Sequence, residues 1–406
     1  MIGAGVFAAF TPAAQAAGPW LLVGLALAAA VAWANATSSA QLAAQYPESG
    51  GTYVYGRERL GPGWGFAAGW AFVVGKTASC SAMALTAATY AFGSQTAGTR
   101  VTAIGVVAIL TWVIARGITK TAALARVLLA LTLAALVAAS VAVVQATSDW
   151  HSASDTAAEL AAVVQERGLA GTAYGVLQAA GLLFFAFAGY ARIATLGDEV
   201  RDPQRTIPRA ITRALLAVIV LYAAFALLLL ASLGAARLAS TPTPLAAASH
   251  QVGLLTVTWV VRAGAAIACV GSLLGLLSGV GRTTFAMARA GDLPRRLAAV
   301  SPSSAVPVVA QVAIASAVVV LTALTDVRHA IGFSSFGVLL YYAIANAAAW
   351  TQDDAHRRWP RGIQVAGLVG CLVLALTVPP LSLGVGAGVI AVGLVGRHLV
   401  RRRPGG

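Results

Sequence analysis

The side chains of this chain that could handle protons are 13 acidic residues and five histidines, and all of them fall in loops or at the ends of apolar runs. No acid pair, histidine cluster or GxSxG string is left inside an apolar segment to carry hydrolytic or metal chemistry. Three charged residues lie within the apolar runs: Lys76, Arg192 and Arg262. An ionisable group at membrane depth is costly and marks function by default, so Lys76 is a candidate for proton coupling or substrate contact. The alternative is a lysine satisfied by carbonyls or by hydroxyls such as Thr77 and Ser79. Arg192, always charged, is a candidate for substrate selectivity or a structural arginine near the end of its helix. Arg262 is expected to snorkel toward the interface.

Backbone supplies the other chemistry. Gly3-Ala4-Gly5 and Phe184-Phe185-Ala186-Phe187-Ala188-Gly189-Tyr190 each interrupt an apolar segment. Non-helical backbone at membrane depth is tolerated only where it lines a cavity or is buried in protein. Glycine-interrupted segments in corresponding positions of two halves point to the binding site of a secondary transporter. Taken singly, either glycine motif could instead mark close helix packing.

The elements that hold these residues are set by composition. Of 406 residues, 59% are hydrophobic and 10% charged, with mean hydropathy +0.82. A soluble domain carries roughly 25% charged residues, which excludes a water-soluble globular protein. Hydropathy, with glycine, proline and charge as punctuation, gives a partial segment over 1–15. Eleven further spans follow, over 18–45, 66–92, 98–115, 124–146, 172–197, 208–233, 252–281, 306–325, 329–350, 363–378 and 381–397.

The 27 basic residues and net charge of +14 sit in short loops rather than in basic-aromatic stretches, so no nucleic-acid partner is expected. Alternate loops place twenty of them on one side, against Arg100, Arg167, Arg237 and Arg328 on the other. This bias puts the C-terminal Arg401-Arg402-Arg403 in the cytoplasm. Cys80, Cys269 and Cys371 lie in apolar runs without CxxC spacing, so neither a disulfide framework nor a zinc site is expected. No cofactor is expected either.

Four strings in order resemble the amino acid permease branch of the amino acid-polyamine-organocation superfamily. They are Ile2-Gly3-Ala4-Gly5-Val6-Phe7; Tyr46-Pro47-Glu48-Ser49-Gly50-Gly51-Thr52-Tyr53-Val54-Tyr55 with Gly65-Phe66 and Gly69-Trp70; Phe184 through Asp198-Glu199 to Arg209-Ala210; and Arg282 with Met287-Ala288-Arg289-Ala290-Gly291-Asp292-Leu293-Pro294. The resemblance implies an all-α polytopic membrane protein with a leucine-transporter-like 5+5 inverted repeat plus two C-terminal helices. The transport core would span 1–350, with repeats over 1–146 and 172–350, and 351–406 would hold the accessory helices and basic tail. The first helix would lack its cytoplasmic half, because the chain opens just before its glycines; Met1 would then be an internal methionine or a misassigned start.

The same resemblance implies substrate contacts. Amides of Gly3, Ala4 and Gly5 would take an amino acid's carboxylate, and carbonyls of Phe185, Ala186, Phe187 and Ala188 its ammonium, with Gly189 permitting the turn. Phe187 or Tyr190 would be the gate. The lysine that couples protons in segment 5 of relatives falls here on Thr132, a departure that leaves coupling to Lys76 or to a sodium site with Thr132 and hydroxyls such as Ser278. Further hydroxyl candidates are Ser272, Ser334, Ser335 and Tyr341. The expected function is amino acid import across a bacterial cytoplasmic membrane, coupled to protons, with sodium as the alternative ion. An amino acid/product antiporter and a non-transporting membrane sensor are the competing readings.

Overall fold

The computed structural model describes residues 3–47, 50–117, 122–148, 150–190, 200, 202–301 and 306–402. Arg192 lies outside them, as do Ile2, Glu48, Ser49, Asp198, Glu199 and Arg201 of the quoted motifs. The described residues form fifteen α-helices. In chain order they are α1 Ala4–Ala8, α2 Phe10–Ala17, α3 Leu21–Gln45, α4 Thr52–Leu60, α5 Pro62–Phe92, α6 Ala97–Ala115, α7 Ala122–Ala146 and α8 Ala153–Phe187. They continue as α9 Pro203–Ser240, α10 Pro244–Gln251, α11 Leu255–Arg289, α12 Val308–Leu324, α13 Val327–Trp350, α14 Arg361–Thr377 and α15 Pro380–Arg402.

By length and composition, nine helical runs among the described residues can cross a membrane, the first of them running through α2 and α3. The shorter apolar helices α12 and α14 accompany them. Each of the eleven full spans expected from hydropathy thus has a helix. Two departures from the expected limits matter. α8 starts well before residue 172, because a polar helix capped by Ser152 runs into it across Gly168, whose φ of 69° breaks the helical path. It ends at Phe187, with a 3-10 turn over Ala188–Tyr190, and residues 191–197 of the expected span lie outside the described ones.

Burial separates the centre from the rim. In the most apolar stretch of each helix, α5 is 94% and α13 89% buried, whereas α6 and α7 are each 22% and α15 is 11% buried. With no hydrophobic drive between helices in lipid, small residues that let backbones approach decide packing. A Cβ added to Gly337 of α13 would lie 2.8 Å from Gly75 Cα of α5. A Cβ on Gly5 of α1 would lie 2.6 Å from Ala186 Cα near the end of α8. The second approach brings the two interrupted segments into contact.

Candidate functional site

α8 stops where its carbonyls lose their helical partners, and three side chains reach the backbone of the two interrupted segments. Lys76 Nζ of α5 donates to the Ala188 carbonyl at 2.9 Å. The Tyr222 hydroxyl of α9 donates to the Ala186 carbonyl at 3.2 Å. The Tyr90 hydroxyl, near the end of α5, donates to the Phe7 carbonyl of α1 at 3.1 Å. Buried carbonyls without helical partners need such donors, so these bonds fix the shape of the junction.

A cavity of about 150 Å³ opens at this junction. Gly3, Ala4 and Gly5 form one wall and Phe185, Ala186 and Gly189 another, while α5 adds Phe72, Lys76, Ser79 and Met83 and α11 adds Ser272 and Leu276. The α5 residues recur at helical spacing and so share one face. Lys76 is 6% exposed and is the charged residue among those lining the cavity. Ser79 is tied to Ser334 of α13, their hydroxyl oxygens 2.6 Å apart.

The structure sorts the other candidates from the sequence. Gly5 lies inside the short helix α1 rather than in unwound backbone, and its lack of a side chain serves the contact with Ala186. Phe187 is fully buried against Tyr222, ring centroids 5.2 Å apart. Tyr190 packs on Tyr342 of α13 at 4.9 Å. Neither ring lines the cavity; Phe185 and Phe72 do. Two residues along a helix is more than half a turn, which turns Phe187 away from the wall that holds Phe185.

The same phase argument separates Ser278 from Ser272 and Leu276 on α11, and Ser278 does not line the cavity. Thr132 of α7 is also absent from the lining, its hydroxyl donating to the Leu128 carbonyl at 2.8 Å. Tyr341 accepts a hydrogen bond from the Thr52 amide at 3.0 Å and so anchors α4. Arg262, expected to snorkel toward the interface, donates to the Tyr90 and Ala91 carbonyls at 2.9 and 3.0 Å. Those are carbonyls of the last turn of α5, where a cation is favoured.

The face of α5 continues to a second cavity of about 320 Å³, which Thr86 and Thr89 share with Gln15, Asp326, Arg328 and His329. Arg328 donates to the side-chain oxygens of Gln15 on α2, at 3.3 Å, and Gln178 on α8, at 3.1 Å. This ties α13 to both interrupted segments at that end of the bundle.

The opposite end is held by a cluster that sequence reasoning missed. The Asp292 side chain, 1% exposed, accepts from the Tyr53 hydroxyl at 2.8 Å and from Arg397 Nε at 2.9 Å. Arg57 lies 3.9 Å away, and Arg397 also stacks over Phe66. Burial, and next the hydrogen bond to Asp292, push the Tyr53 phenol up to about 12. Tyr53 and Asp292 stand in two of the quoted motifs, which was the available signal; Arg397 stands in neither.

Comparison with known proteins completes the site's context. The family model described as amino acid permease matches residues 1–395. A protein of Mycobacterium tuberculosis named only as an uncharacterized transporter is 52% identical over 406 residues, covering 99% of this chain and 89% of the relative. The vacuolar cationic amino acid transporter 4 of Arabidopsis thaliana is 27% identical, over 84% of this chain and 59% of the relative. The branched-chain amino acid permease BcaP of Bacillus subtilis is 24% identical, over 91% and 81%.

Proposed function

Because the chain belongs to the amino acid permease family, a group of multi-pass membrane proteins, we propose that it is a secondary active transporter that imports an amino acid by alternating access, coupled to protons. The observation that carries this reading is the cavity at the meeting of Gly3–Gly5 with the end of α8. Backbone of two interrupted segments, one hydroxyl each from α5 and α11, and a single buried ammonium are a binding surface for a small zwitterion or anion, not a catalytic set.

In this reading the family's inverted repeat relates 1–146 to 172–350, and 351–406 is accessory. Amides of the first segment hold the carboxylate, carbonyls of the second hold the ammonium, and Lys76 is the proton carrier. Among the described residues, no carboxylate lines the cavity to take that role. The end carrying Arg57 and Arg397 faces the cytoplasm of a bacterial cell, with the C-terminus on that side, as the twenty-to-four basic bias supports. The Arg328 end faces outward. The relatives' names span cationic and branched-chain cargo and do not choose between them.

The test is accumulation of labelled amino acids by proteoliposomes under an imposed inward proton gradient. Uptake above the equilibrium level that collapses with a protonophore is expected. Substrate binding without uptake or exchange would favour the sensor, and exchange that needs internal amino acid would favour the antiporter.

A further inference from the structure

Lys76 does more than line the cavity. Its ammonium holds the Ala188 carbonyl, and Tyr222 holds that of Ala186. Two of the carbonyls that would serve a substrate's ammonium therefore already accept protein donors. The polar remainder of the lining is hydroxyl, Ser79 and Ser272, and the rest is apolar. Titratable neighbours on the surrounding elements are Cys80 on α5, Tyr190 after α8, Tyr222 on α9 and Tyr341 on α13, all buried. None is a carboxylate, and Lys76 has no ion pair among the described residues. Among the described residues the site therefore holds an ionisable amine with no carboxylate beside it.

Resting on the transporter reading above, we propose that the cargo is an amino acid of net negative charge, one with a second carboxylate, and that it crosses as an ion pair with protonated Lys76. Charge bookkeeping across a low-dielectric barrier decides between cargo classes. A zwitterion with protonated Lys76 moves one uncompensated positive charge, and a cationic amino acid moves two. A monoanion with protonated Lys76 moves none, and the empty carrier with neutral Lys76 returns with none. The proton is taken up by the Lys76 amine on the side where cargo enters and released to water on the side where it leaves. One proton thus accompanies each anion, and the cycle is electroneutral.

The test uses the full chain in proteoliposomes with an inward proton gradient, and labelled glutamate, aspartate, leucine and lysine as probes. Membrane potential is set to zero or inside-negative with potassium and valinomycin. Uptake of an acidic amino acid is expected to exceed that of leucine and lysine by about tenfold, a binding difference of about 1.4 kcal/mol, and to be indifferent to potential. Lys76→Met is expected to lose acidic uptake. Lys76→Arg, a cation that keeps its proton, is expected to retain acidic exchange while losing gradient-driven accumulation.

If neither variant survives purification, the potential dependence of the unaltered protein decides alone. Preference for leucine or lysine, or acidic uptake driven by inside-negative potential, overturns the charge assignment and leaves the transporter reading standing. No movement of any amino acid overturns both.

Discussion

Lys76 and Asp292 are both charges held from water, and they are held differently. Asp292 is matched by Tyr53, Arg397 and Arg57, whereas among the described residues Lys76 meets one carbonyl, that of Ala188. Removing one member of a buried ion pair costs about 3–5 kcal/mol. Asp292→Ala is therefore expected to lower the thermal midpoint of the purified protein by several degrees, and Arg397→Ala by less, since Tyr53 and Arg57 still stand beside Asp292 in that variant.

The Tyr53 phenol adds a pH signature. Its folded pKa of about 12 lies above the ordinary 10, so its contribution is complete below pH about 10 and is lost as pH rises to about 12. Thermal midpoints measured from pH 8 to 12 should fall less steeply in Tyr53→Phe than in the unaltered protein. Lys76 was legible in the sequence because a lysine deep in an apolar run stands out. The partnership of Asp292 was not, since Arg397 follows it by 105 residues and nothing local encodes that meeting.

At the scale of elements, hydropathy placed the spans and missed what depends on helical phase. Ser272 and Ser278 look equivalent in sequence, yet only the first lies on the α11 face that Leu276 also presents to the cavity. Phe185 and Phe187 differ in the same way. The break after Phe187 was legible through Gly189, whereas the extension of that span to 197 rested on hydropathy alone. The glycines were readable as sites of irregularity or close contact, and Gly5 is both in close contact with Ala186 and part of the cavity wall.

Gly5→Val would drive its side chain into the α8 backbone. Overpacking of this kind costs typically about 1–3 kcal/mol and would displace Ala186 from the cavity wall. The expected outcome is a folded protein, monodisperse on size exclusion, with transport reduced at least about tenfold. Gly5→Ala should fall between it and the unaltered protein.

Across the whole molecule, the two ends are closed by different chemistry. The end holding Asp292 is locked by ion pairs from Arg397 and the partly exposed Arg57 to one buried carboxylate. The opposite end is tied by hydrogen bonds from Arg328 to two neutral glutamines. Alternating access requires that one end open while the other holds, and bonds from one cation to neutral acceptors are weaker ties than bonds between opposite charges. Arg328→Ala is expected to speed labelling of Thr86→Cys by a membrane-impermeant thiol reagent in sealed right-side-out vesicles, in a background where Cys80, Cys269 and Cys371 are replaced. Unchanged labelling would remove Arg328 from the outer closure.

Whether amino acid and proton move together through the cavity beside Lys76 is read from the internal pH of loaded vesicles. Proteoliposomes containing a trapped pH indicator, with no initial gradient, are given external amino acid. Acidification of the interior that tracks labelled uptake, and is lost in Lys76→Met, is expected; amino acid uptake with no change in internal pH would rule out proton coupling.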